Sequence, residues 1–205
     1  MIIISLVIAV VDNDKVLMAS DSQVTVNGGV RKVSSLNENY KIWHPDDKND
    51  LIMGSVGNVR EMNSTKTIDN LVEELDYLKG DIDMKTISKK VIKKILKELK
   101  DANIIEFKDN VLRMNNDYLF AYKEKLYQIF SSGAVIRIDK YSAIGSGSNE
   151  ALASLNNSEG KDPIERIKLA MAASSRNDIF VDYPLIIGTT ESEEFTAIES
   201  SDHKK

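Results

Sequence analysis

A serine, an aspartate and a lysine near the start of the chain are the first residues whose types could do chemistry together. Ser5 interrupts an apolar opening, MIIISLVIAVV, and the next apolar run ends in Ala19-Ser20-Asp21-Ser22. Arg31-Lys32-Val33 follows soon after. A hydroxyl is a poor nucleophile until a base takes its proton. An amine desolvated at the base of a cleft has a lowered pKa, and a neighbouring carboxylate orients it and tunes its charge. Taken one at a time these residues also have plainer readings: Ser20-Asp21 can satisfy strand-end backbone, and Lys32 can pair with Asp21 structurally.

Composition narrows the chemistry. The chain has no cysteine, which excludes disulfides, thiolate catalysis and Cys-ligated zinc and fits a reducing compartment. It has two histidines, His44 in a polar loop and His203 in the tail, which argues against a His-based metal centre or a Ser-His-Asp triad. Asp12-Asn13-Asp14 lacks the later Gly and Glu of a calcium loop and reads as a hairpin turn. A net charge of -5 gives no reason to expect nucleic acid or an anionic membrane as partner. With 205 residues, 42% of them apolar, ten Gly and three Pro, the chain fits one domain, 1–205, without long linkers.

The elements that must hold these residues follow from periodicity. Met1 to Val11 has no basic residue ahead of it and no small-residue cleavage pattern after it, so it does not read as a signal peptide. It is also short of the roughly 20 residues a helix needs to span a bilayer. Its β-branched content predicts a buried cytoplasmic strand, with Lys15 to Ala19 returning beside it. Val24 to Val33, around Asn27-Gly28-Gly29, predicts a second hairpin, and Lys41 to Asp50 a polar loop. Apolar residues from Val59 to Leu78 recur at helical spacing, with Gly80 as the stop. A second helix is predicted from Met84 to Ala102, with lysines on its outer face that read as a solvated surface or as a dock for an acidic partner. Beyond Asn115 the period changes to two, giving strands at Tyr118–Tyr122, Leu126–Phe130, Val135–Ile138 and Tyr141–Gly145. Asn149 to Leu155 begins a helix, and Asp162-Pro163 opens another. Strands at Pro184–Gly188 and Phe195–Ile198 finish the series. Strands, a helix pair, strands, a helix pair and strands suit a sheet sandwich with helices outside it.

This order of motifs resembles the β-subunits of the proteasome and the bacterial protease of the same type, which are N-terminal-nucleophile hydrolases. The likeness runs from about Ser5 to Ile198. It rests on the Ala19-Ser20-Asp21 hairpin, Lys32-Val33, Met53-Gly54-Ser55-Val56-Gly57 ahead of a long helix, and Gly145-Ser146-Gly147. The resemblance implies an α+β fold, a four-layer αββα sandwich of two mostly antiparallel sheets. It also implies site residues. Counting back from Asp21, the family's nucleophile falls on Ser5, with Asp21 and Lys32 beside it. Gly54 is the oxyanion-stabilising glycine, Ser146 the supporting serine, and Asp178 in Arg176-Asn177-Asp178-Ile179 the supporting aspartate. The family's chemistry needs a free α-amino group on the nucleophile, so Met1–Ile4 must be removed to expose Ser5. Ile4 stands where the family usually has a glycine, and Val181-Asp182 where it tends to have serine and then glycine.

The function implied is a peptidase subunit, without cofactor or metal, working inside a self-compartmentalised ring in the cytoplasm and supplied with peptide or unfolded protein by an ATPase unfoldase. Two readings compete with it: a degenerate, unprocessed scaffold or regulator with the same fold, and an amidase of small molecules.

Overall fold

The computed structural model describes residues 5–26, 29–32, 40–72, 82–105, 107–108 and 111–200, with only the backbone of 25–26, 29–32, 107–108 and 111–112. The predicted stop at Gly80, the turn at Asn27-Gly28 and the tail with His203 lie outside the described residues. The first hairpin is β1 (Leu6–Asp12) and β2 (Lys15–Ser20). Asn13 turns it with φ of 52°, a left-handed conformation that asparagine tolerates. β1 is flanked by β2 on one side and by β12 (Tyr141–Gly145) on the other. β13 (Leu185–Thr189) and β14 (Ser192–Ile198) complete an antiparallel sheet in the order β12-β1-β2-β13-β14. The second five-stranded sheet runs β11-β10-β9-β6-β5. It comprises β5 (Ile42–Trp43), β6 (Leu51–Val56), β9 (Asp117–Tyr122), β10 (Lys125–Ile129) and β11 (Val135–Ile138). Two small hairpins stand apart, β3 (Gln23–Val26) with β4 (Gly29–Lys32) and β7 (Phe107–Lys108) with β8 (Val111–Leu112).

Alternation along the strands builds the layers. Val7, Ala9, Val16, Met18 and Ile186 of the first sheet meet Ile42, Ile52, Leu119, Ala121 and Leu126 of the second. Their chain neighbours Leu6, Ile8, Leu17, Ala19 and Leu185 face the other way, onto Ala151, Leu155, Ile167, Ala170 and Met171. Those five belong to α4 (Ser148–Asn157) and α5 (Pro163–Asn177). Leu51, Met53, Tyr118, Phe120 and Tyr127 turn outward onto Met62, Ile87, Val91, Ile95 and Leu99. These lie on α1 (Val59–Lys66) and on a continuous helical stretch of α2 (Met84–Thr86), a π turn (Ile87–Val91) and α3 (Ile92–Asp101). A strand buried on both faces must be apolar at every position, which is why β1 reads as an unbroken run rather than an alternating one. The result is the four-layer αββα sandwich, helices outside two antiparallel sheets, as the resemblance implied.

Two predicted boundaries move. α1 ends at Lys66, and the predicted helix beyond Val72 lies outside the described residues; Asn70 adopts φ of 57°, and the Leu71 and Val72 N–H groups donate to the Asp46 carboxylate at 3.1 and 2.8 Å. Leu71 and Val72 are buried all the same, so at these two positions the apolar spacing reports burial on a turn. The predicted polar loop at Lys41 begins instead as buried structure, since Lys41, Ile42 and Trp43 are each under a tenth exposed. The remaining strands and helices fall within a few residues of the spacing that predicted them. Asp162 caps α5 by accepting from the Glu165 N–H at 3.0 Å. Among the described residues no helix is long and apolar enough to cross a membrane.

Candidate active site

Strand register sets the place of Ser5. Leu6 pairs with Gly145 and Val7 with Ser20, so Ser5 leaves the end of β1 between Ser146 on one side and the Ser20-Asp21-Ser22 corner on the other. The Ser5 N–H donates to Ser146 Oγ at 3.3 Å, and that hydroxyl stands 3.4 Å from Ser5 O as donor. Asp21 N–H donates to Leu6 O at 3.1 Å, and Asp21 Oδ1 takes the Leu6 N–H at 2.8 Å. Ser5 itself has φ of 126°, a conformation disfavoured for a residue with a Cβ. Strain of this kind persists only where surrounding contacts impose it, and it concentrates at functional sites.

The second sheet brings the amine. Ile42 pairs with Gly54, and Ser55 N–H donates to Lys41 O at 2.9 Å, which fixes Lys41 at the end of β5. Lys41 Nζ reaches across to Asp21 Oδ1 at 2.6 Å and donates to Gln23 O at 2.7 Å. Asp21 Oδ2 accepts the Gln23 N–H at 3.0 Å. Both side chains of the ion pair are almost wholly buried, at 6% and 0% exposure. Burial pushes the Lys41 amine below the usual lysine range, against the opposing pull of Asp21. Burial likewise raises the Asp21 carboxyl, while Lys41 and two backbone N–H groups act in the opposite direction. Lys66 donates to Tyr40 O, next in sequence to Lys41, and burial lowers its pKa to about 8.

Ser5 and Lys41 line one cleft with Gln23, Val24, Ser55, Gly57, Asn58, Val59, Met62 and Asn116. The sequence-predicted set is therefore only partly gathered. Ser5, Asp21 and Ser146 come together. Lys32 sits in β4 with its backbone opposite Gln23, and its side chain lies outside the described residues; among the described residues, Lys41 is the lysine on Asp21. Gly54 is mid-strand between Ile42 and Leu119 and does not line the cleft. A Cβ there would lie 2.6 Å from Val7 Cγ1 and 2.9 Å from Met18 Sδ, so the absent side chain lets the two sheets close. The glycine that does line the cleft is Gly57, with φ of 126°. Asp178 ends α5, its Oδ1 accepting the Phe180 N–H at 2.9 Å. It does not line the cleft, although the loop it opens touches the site through Gln23 Nε2, which donates to Ile179 O at 2.7 Å.

Two residues of the cleft outside the predicted set carry faint signals in the sequence. Lys41 stands between Tyr40 and Ile42-Trp43, an apolar setting in which a lone lysine marks a buried amine. Gly57 directly precedes Asn58, whose side chain caps α1 by accepting from the Arg60 and Glu61 N–H groups at 2.8 and 3.3 Å.

The family model described as "Proteasome subunit" matches residues 5–180. The chain belongs to the proteasome subunit family. Several solved structures share its fold. BPH of Thiobacillus denitrificans aligns at 18% identity and a TM-score of 0.68, over 90% of this chain and 96% of that one. HslV from Trypanosoma brucei aligns at 20% and 0.63, over 90% and 98%. Anbu, the ancestral beta-subunit from Yersinia bercovieri, aligns at 14% and 0.67, over 96% and 88%. Comparison with curated protein sequences gave no match. At these identities the structural likenesses concern the fold, and membership of the proteasome subunit family rests on the family model.

Proposed function

We propose that this proteasome-family chain is an N-terminal-nucleophile peptidase subunit whose nucleophile is Ser5, exposed by removal of Met1–Ile4. The observation that carries the reading is the convergence at one cleft of Ser5 and the buried Lys41–Asp21 pair, with Ser146 on the Ser5 backbone. In this reading Lys41 replaces Lys32 as the family's lysine and Gly57 replaces Gly54 as the oxyanion donor. A neutral amine, the freed α-amine of Ser5 assisted by Lys41, takes the hydroxyl proton, and Ser5 Oγ bonds to the substrate carbonyl carbon. The Gly57 N–H meets the resulting oxyanion, a contact typically worth about 3 kcal/mol. Collapse breaks the C–N bond, the leaving amine carries off the proton, and water then hydrolyses the ester on Ser5. Asp21 holds Lys41 in place, Ser146 holds the α-amine, and Asp178 supports the loop at Gln23.

The proposal extends to a cytoplasmic, self-associating assembly that receives peptide or unfolded protein, with an ATPase as the supplier of unfolded chains. Ile4 in place of the family's glycine favours one competing reading, an unprocessed and inactive scaffold. Turnover of a fluorogenic peptide library by wild type and by Ser5→Ala separates the two. The peptidase reading expects hydrolysis in wild type and a loss of at least ~10³-fold in Ser5→Ala. Equal behaviour of the two proteins overturns it. Hydrolysis confined to small acyl-amides instead assigns the amidase reading.

A further inference from the structure

Glu61 is a fully buried carboxyl on the first turn of α1, away from the groups assigned to the reaction. Four donors converge on it. Oε1 accepts from the Asn116 N–H at 3.0 Å and the Tyr118 hydroxyl at 2.9 Å. Oε2 accepts from the Asn115 N–H at 2.8 Å and from Asn115 Nδ2 at 3.1 Å. Burial beside Glu61 raises the Tyr118 pKa well above its ordinary value, so the phenol stays a donor. A buried acid satisfied at both oxygens holds whatever donates to it in a single arrangement.

Asn116 is held in this way, and its side chain is used in full. Oδ1 accepts the Asn58 N–H at 2.5 Å, while Nδ2 donates to Ser55 Oγ at 2.9 Å and to Asn58 O at 3.0 Å. The chain is thus tied on both sides of Gly57, at Ser55 and at Asn58, to the residue just ahead of β9. Asn116 also fills the space beside that glycine, where a Cβ would lie 2.5 Å from its Oδ1. Ser55, Gly57, Asn58 and Asn116 all line the cleft.

We infer that Asn116, anchored by Glu61, is a positioning residue that fixes the Gly57–Asn58 backbone at the cleft and so aims the Gly57 N–H at the reacting carbonyl. The aim of that N–H rests on the peptidase reading; the tethering of the loop does not. Amide hydrogen exchange by NMR on the full chain, with peptide hydrolysis on the same samples, tests both. In Asn116→Ala the Gly57 and Asn58 amides exchange at least ~10-fold faster, while the core strands keep wild-type protection. Glu61→Gln, which leaves the Asn116 side chain present and loosens its anchor, gives the same change in smaller measure. Hydrolysis by either variant loses kcat, up to ~10²-fold, with KM within about twofold of wild type. Unaltered exchange at Gly57 and Asn58 overturns the tether, and so does loss of protection throughout the core in both variants, which would make the network a general folding element. Faster exchange with kcat unchanged overturns the aim. If wild type shows no Ser5-dependent hydrolysis, the peptidase reading and the aim fall together, and exchange still decides the tether.

Discussion

Lys41 and Asp21 form the contact on which the site turns, and their burial makes the pair sensitive to pH in a defined direction. A lysine held below its ordinary value in the folded chain keeps its proton longer in the unfolded one. Between the folded value and the usual 10.5 the unfolded state binds more protons, so this group's contribution to stability rises with pH across that window. Activity follows the same sign in the peptidase reading, because only the neutral amine can help take a proton from Ser5. The rate constant kcat/KM should therefore rise with pH below 10.5, and in Lys41→Met the part of that rise due to Lys41 should disappear together with most of the rate, leaving the limb of the freed α-amine. A pH profile of both proteins over the alkaline range checks it. A profile of unchanged shape in Lys41→Met assigns the whole titration to another group.

At the scale of elements, the glycines of β6 and the loop after it divide the labour. Gly54 is where β6 crosses close to β1 and β2, and Gly57 is where the chain turns into α1. Gly54→Ala should overpack the space between the sheets and cost about 1–3 kcal/mol, read as a lower melting midpoint with the Ser5 cleft still able to work. A variant that melts like wild type and has lost catalysis alone would return Gly54 to the chemistry. This division explains what the sequence could and could not disclose. The hairpin of β1 and β2, the strands beyond Asn115 and the capped start of α5 announce themselves because periodicity and turn residues act locally. The placing of Asp21 and Ser146 follows from local pattern, since each stands just past the end of a strand paired with β1. The Lys41–Asp21 contact gave no local sign, since Lys32 and Lys41 both follow Asp21 at plausible spacing and only the pairing of β5 with β6 brings Lys41 to the carboxylate. Gly54 and Gly57 likewise differ in that one lies within β6 between the two sheets and the other in the loop beyond it, a matter of sheet packing. Asn116 and Glu61 gave no local sign, because their partners lie more than fifty residues away.

For the molecule as a whole, the two sheets hold the halves of the site at a common end, Ser5 and Asp21 from one and Lys41 from the other. The outer surface carries apolar side chains at Ile164 and Leu169 of α5 and at Ile179 just beyond it, the last 74% exposed. Self-association would cover such residues, and light scattering should then give a mass that is a multiple of 22.9 kDa. A mass of one chain at working concentration argues against the assembly. The central claim, that Ser5 works as an N-terminal nucleophile, is tested most directly by the intact mass of the purified chain. A protein that has lost Met1–Ile4 and begins at Ser5 is expected, and a chain that hydrolyses peptide while keeping all four residues would refute that role.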